Sequence, residues 1–229
     1  MKVVVLVTLL LSAAGSARAQ AAPNPALKRE LDSIYTADQR WRLMLFDRRI
    51  SRRPDSLATA LGVTKVRLLP YIMRQMQHTD SANLVRVRAI VKQYGYPGKS
   101  LVGEPTNEAV WNVIQHSEVI KQYLPVIKKA ADKSELPFRL YAQMLDRQLM
   151  RDGKPQLYGT QGMSYSHTNR ATGRREGQPP FIWPIKDPAG VNERRRQAGF
   201  ATTVEQNATA LGIAYRVVTL QEVAKMPKD

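Results

Sequence analysis

Side chains able to do chemistry crowd into one stretch of this chain, Phe138 to Gln161, FRLYAQMLDRQLMRDGKPQLYGTQ. It opens as an amphipathic helix carrying Asp146-Arg147 and breaks at Asp152-Gly153. A short polar run follows, Gln156-Leu157-Tyr158-Gly159-Thr160-Gln161. If Gln156 to Thr160 is extended, its even-numbered side chains share one face and present amide, phenol and hydroxyl together. Gly159 would let a ligand or another backbone approach closely. Such a face suits recognition of a polar or anionic ligand. It suits equally a hydrogen-bonded hairpin that closes a helical core.

Two further groups could join it. In Glu108 to His116, EAVWNVIQH, the residues Ala109, Val110, Val113 and Ile114 make a helical stripe. At ~100° per residue, His116 projects within about 20° of Ala109, at the stripe's edge. A half-buried imidazole there can act as acid, base or hydrogen-bond donor, or be a core-edge histidine held by a carbonyl. Asp146 flanks the stripe of Phe138, Tyr141, Ala142, Leu145 and Leu149, with Arg147 turned away from it. An edge carboxylate needs a partner. His116 with Asp146 would make an oriented acid/base pair, and Asp146 with an arginine a structural ion pair. Asp38-Gln39-Arg40 and Arg194-Arg195-Arg196 are two more charged clusters. The arginine run could fork onto phosphate or carboxylate, or be a solvated helix face.

No zinc-binding His-Glu-x-x-His, phosphate-cradling glycine loop or Gly-x-Ser-x-Gly elbow occurs, so no metal and no cofactor is expected. With no cysteine, thiolate chemistry and disulfides are excluded. Lys2, the apolar run Val3 to Leu11 and Ala17-Arg18-Ala19 read as a signal peptide over residues 1–19, cut before Gln20. That run is too short to cross a bilayer as a mature helix. The expected product is exported, periplasmic or secreted. The formal charge is +16, and cleavage would remove only two cations, Lys2 and Arg18. So basic a chain favours acidic partners, here an anionic small molecule or envelope polysaccharide. Export and the lack of any nucleic-acid-binding motif argue against nucleic acid.

The elements that must position these groups are mostly helices. A Pro-rich leader over residues 20–26 reads as a flexible tether. Leu31, Ile34, Tyr35, Trp41 and Leu45 mark a first helix, and Ser56 to Gly62 a second. Asp80 reads as the cap of a helix carrying Leu84, Val85, Val87, Ile90 and Val91, stopped by Gly95 and Pro97. Thr106 caps the next, to about Ser117. Another runs from Ser117 or Glu118 to about Ala131, and Pro137 to Met150 is the best patterned. Asp187-Pro188 reads as cap and first turn of a helix to about Ala198, and Thr202 or Thr203 opens a last one. Gln156 to Tyr158 and Phe181 to Trp183 could pair as a small ribbon. Gly162 to Pro180 between them, carrying Arg170, Arg174 and Arg175, reads as a flap. The expected fold is mainly α, a single helical domain over residues 27–229 with a minor two-stranded β-ribbon.

In order along the chain, these residues resemble an uncharacterised bacterial family, a domain of unknown function. The resemblance rests on Asp38-Gln39, Asp80 with Asn83, Tyr94-Gly95-Tyr96-Pro97, Val102-Gly103 and Trp111 with Gln115-His116. It continues through Asp146-Arg147, Gln156 with Tyr158-Gly159-Thr160-Gln161, and Asp187-Pro188 with Val191 and Arg194-Arg195. Tyr96 departs from it, standing where tryptophan is expected, and so does the long basic segment Gly162 to Pro180. The resemblance implies a mostly helical domain and carries no activity. Three functions remain open. One is an exported protein binding a polar or anionic envelope ligand through Gln115, Arg147, Gln156, Tyr158, Thr160 and Gln161. Another is a metal-independent hydrolase or lyase using His116 and Asp146. The third is a structural helical protein without a small-ligand site.

Overall fold

A computed structural model of the chain describes residues 22–46, 50, 52–169 and 172–227. The expected signal peptide and its cleavage site lie outside them. Ten helices are described: α1 (Pro25–Phe46), α2 (Pro54–Ala60), α3 (Lys65–Tyr94), α4 (Lys99–Val102), α5 (Ala109–Ile114), α6 (Ile120–Asp132), α7 (Phe138–Arg151), α8 (Val191–Gln197), α9 (Val204–Ala210) and α10 (Leu220–Lys225). Two small antiparallel pairs lie between α7 and α8. Strand β1 (Gly162–Met163) pairs with β4 (Phe181–Ile182), and β2 (Ser166–Thr168) with β3 (Arg175–Gly177). The fold is mainly α with a minor β-ribbon.

α1, α3, α5, α6 and α7 build the main core. Leu27, Leu31, Ile34 and Trp41 recur at steps of four, three and seven residues and are all buried, as one helix face must be. Tyr35, 45 % exposed, does not join them; Asp38 does, at 1 %. Asn83 of α3, also buried, donates its side-chain amide to the carbonyl of Ile34 at 3.2 Å and ties α1 to α3. A second cluster of Ile182, Val191, Val204, Ala208 and Ile213 packs β4 against α8 and α9.

Several expected boundaries move. Helix α1 begins at Pro25, with the Asn24 carboxamide accepting the Leu27 amide, so the end of the leader is helix rather than tether. Asp80 caps nothing. It lies inside the 30-residue α3, where both its oxygens take the Arg42 guanidinium at 2.8 Å. The first half of α3 hides from pattern reading because Val66, Leu69 and Met73 face solvent while Leu68 and Ile72 are buried. Thr106 opens a single 3-10 turn and donates its hydroxyl to Asp32 at 2.6 Å. Asp187 sits at φ +75°, accepting the Gly190 amide and Arg194, so α8 starts later, at Val191. Thr203 does cap α9, through a reciprocal bond pair with Gln206. The partner of β4 is Gly162–Met163, and Gln156 forms only a single bridge, to Ile185. Gly162 to Pro180, expected as a flap, carries three of the four strands, β1, β2 and β3.

Candidate functional site

The site is organised by a loop folded over one carboxylate. Asp146 of α7 is fully buried, and one oxygen accepts the amides of Leu157 (2.7 Å) and Tyr158 (3.1 Å). The other accepts the Tyr158 and Thr160 amides and the Thr160 hydroxyl, at 3.0–3.1 Å. Burial holds its pKa above the usual carboxylate value, and these backbone and hydroxyl donors offset only part of that rise. Every lone pair is thereby engaged in holding residues 157–160. Among the described residues Asp146 has neither a hydrogen bond to His116 nor an arginine ion pair, so neither of the two partnerships left open by the sequence forms, and a scaffold of backbone amides takes their place.

Gln156 finishes the loop. Its buried side-chain amide donates to the carbonyls of Trp183 (2.7 Å) and Gln161 (3.0 Å) and accepts the Gln161 amide at 2.9 Å. Gly159 turns the chain at φ +65°, where an added Cβ would lie 2.6 Å from Val204 Cγ2 and 2.9 Å from Ile185 Cδ1. Only glycine fits that turn and that contact. Residues 156–160 are therefore not extended, and their even-numbered side chains do not share a face. Gln156 turns inward, the Tyr158 ring meets Phe200 at 6.1 Å, and Thr160 returns to Asp146.

From behind, α8 clamps the same loop. Arg195, 1 % exposed, donates to the carbonyls of Tyr158 and Thr202 at 2.8 Å and lies 4.5 Å over the Phe200 ring. Arg194 donates to Leu157 O at 3.0 Å and pairs with Asp187. Of the arginine run only Arg196 is a solvated cation, paired with Glu193. The run is a clamp, not an anion fork.

With the loop fixed, a cleft of about 210 Å3 opens between α5, α7, α9 and the loop. Gln115, Arg147, Thr160 and Gln161 line it, as do five residues that sequence reading missed, Trp111, Gln143, Met144, Asn207 and Leu211. Gln143 could have been found, because it stands one turn before Arg147 on the same helix face; nothing local announces Asn207, which arrives from α9. The half-buried Arg147 donates to Gln161 Oε1 at 3.2 Å and to the Gln115 carbonyl at 2.9 Å. Among the described residues no carboxylate lies within ion-pair distance of it. Burial, and then neighbouring Arg151, lower its pKa. Asp146, Gln156 and Tyr158 stand outside the cleft lining and shape it. A larger hollow of about 540 Å3 beside α1 and α2 is lined by Leu43, Met44, Ile50, Leu57 and Ala60 together with Arg40, Arg53 and Ser56.

His116 follows the cleft residue Gln115. Helix α5 ends at Ile114, and the Ser117 hydroxyl donates to the Ile114 carbonyl at 2.7 Å. His116 therefore stands in an exposed turn rather than on a core edge. Its surface is open, yet the protein packed around it, then Arg42, Arg147 and Arg151, depress the imidazole to about 4. At neutral pH it is uncharged. Arg42 belongs to a network on the α1 side, bonded to Asp38 at 3.0 Å and to Asp80. Burial raises Asp38 to about 6, against the pull of Arg42 and with the push of Asp80. Arg40 takes no part; it lies 4.9 Å over Trp41's ring.

No curated protein and no solved structure matches the chain. A family profile does match, over residues 68–218, a span that holds the whole Asp146 scaffold, Arg147 and His116. By that match the chain belongs to a family of unknown function, DUF6624.

Proposed function

We propose that this is an exported binding protein whose Arg147 cleft takes an anionic ligand, either a small molecule or the acidic end of an envelope polysaccharide. The observation that carries this reading is the state of Arg147. Desolvating a guanidinium is costly unless an anion or full hydrogen bonding compensates. Here neutral acceptors hold it in place and no carboxylate neutralises it. A bound carboxylate or phosphate supplies the missing charge through a charge-assisted hydrogen bond from the guanidinium.

The hydrolase or lyase reading loses support, because Asp146 is engaged with backbone amides and leaves His116 without its orienting acid. A purely structural role accounts for the Arg147 bonds to Gln115 and Gln161 but leaves its charge without a counter-ion among the described residues. Thermal-shift screening of the wild type and Arg147→Gln against organic acids, sugar phosphates and acidic oligosaccharides tests the binding reading. A ligand specific to the native state raises its melting temperature, and the gain should vanish in Arg147→Gln. If no anion shifts the wild type, or the variant shifts equally, the reading fails. Export is tested separately, by mass spectrometry of the envelope fraction. The product should begin at Gln20, and an intact Met1 would overturn it.

A further inference from the structure

We propose that the ligand is a single hydroxylated carboxylate of monosaccharide size, a uronic acid in chemical class; this rests on the Arg147 reading above. The inference comes from counting which hydrogen-bonding atoms at the cleft are already used. Arg147 spends Nε and Nη1 on Gln161 and Gln115, while Nη2 has no partner among the described residues. That nitrogen can donate to a carboxylate. Three acceptors are equally free. Asn207 donates to the Gly159 carbonyl but receives nothing at Oδ1. Gln115 donates to Asn112 and receives nothing at Oε1. Gln143 makes no side-chain hydrogen bond to any described residue, leaving both its donor and its acceptor for a ligand.

Free amide oxygens call for donors. Inorganic phosphate at neutral pH and simple dicarboxylates offer few or none. Several hydroxyls on one small body offer them at the required density. Leu211, half exposed, lines the same cleft beside Trp111 and gives the carbon skeleton an apolar surface. Size sets the other bound. At about 210 Å3 the cleft is smaller than the roughly 300–1,000 Å3 that encloses a drug-sized ligand. One sugar residue fits and a disaccharide does not. No acidic side chain lines the cleft to repel the carboxylate.

Isothermal titration of the full mature protein with D-glucuronate, D-glucose and inorganic phosphate tests this. Glucuronate should bind at least tenfold more tightly than either of the others. Arg147→Gln should abolish the preference over glucose, and Gln143→Leu should reduce the preference over phosphate. Circular dichroism confirms that both variants are folded. Phosphate binding as tightly as glucuronate, still lost in Arg147→Gln, would overturn the uronic acid while keeping the anion site. Failure of every anion would overturn both. Uronate oligomers separate the sources of the ligand. Binding of the free sugar alone indicates a diffusible acid, and equal binding of an oligomer indicates a chain end. Affinity that climbs with each added residue would contradict a one-residue cleft.

Discussion

Asp146 and Arg147 are adjacent in sequence and opposite in use, because successive helix positions diverge by ~100°. The carboxylate faces inward and holds a loop, and the guanidinium faces the cleft. Asp146→Asn turns an acceptor into a donor against backbone amides, and urea unfolding should show a loss on the order of 2–3 kcal/mol. A loss within experimental error would mean the loop is held otherwise. Asp38 and His116 make opposite pH claims. Asp38, raised to about 6 from a usual carboxylate value, binds its proton more tightly when folded. Its contribution to stability therefore falls as pH rises from about 4 to 6. His116, lowered to about 4, binds its proton less tightly when folded, so its contribution rises from about pH 4 to 6.5. Relative to wild type, Asp38→Asn should gain stability with rising pH across that window, and His116→Gln should lose it. Chemical denaturation at pH 4, 5, 6 and 7 reads both signs.

At the scale of elements, α8 acts at a distance from the ligand. Arg195 reaches past its own helix to hold Tyr158 O, so Arg195→Ala removes a buried side chain and its bonds to the Tyr158 and Thr202 carbonyls and should cost on the order of 2 kcal/mol. It should also weaken ligand binding, since Thr160 and Gln161 follow directly on the released segment. Unchanged affinity at permissive temperature would uncouple clamp from cleft. The helices with clean apolar stripes, α6 and α7, were legible in the sequence to within one to three residues. So was the identity of four cleft residues, Gln115, Arg147, Thr160 and Gln161. What hid the rest was tertiary. Asp80 has the residue type of a helix cap, and only the arrival of Arg42 makes it a mid-helix residue. Gln156 to Thr160 alternates like a strand, and only burial of Asp146 beneath it bends it into a cradle. Asn207 comes 48 residues after the Gly159 carbonyl it binds, a pairing no local pattern announces.

For the whole molecule, a strongly basic chain without disulfides relies on packed helices, and the long β2–β3 hairpin stands apart from that core. Arg174 and Arg175 are exposed on it. Limited trypsin should cut there before entering α8, where Arg195 is buried; early cleavage within α8 would contradict this. The cleft, by contrast, is assembled from α5, α7, α9 and the intervening loop, so a ligand in it should be felt by all four. Nitrogen-15 NMR of the labelled protein during a glucuronate titration tests the central claim most directly. The account predicts saturable shifts at the Arg147 Nε–H and the Thr160, Gln161 and Asn207 amides, absent in Arg147→Gln. Shifts scattered over the lysine-bearing surface, or unchanged by that substitution, would contradict it.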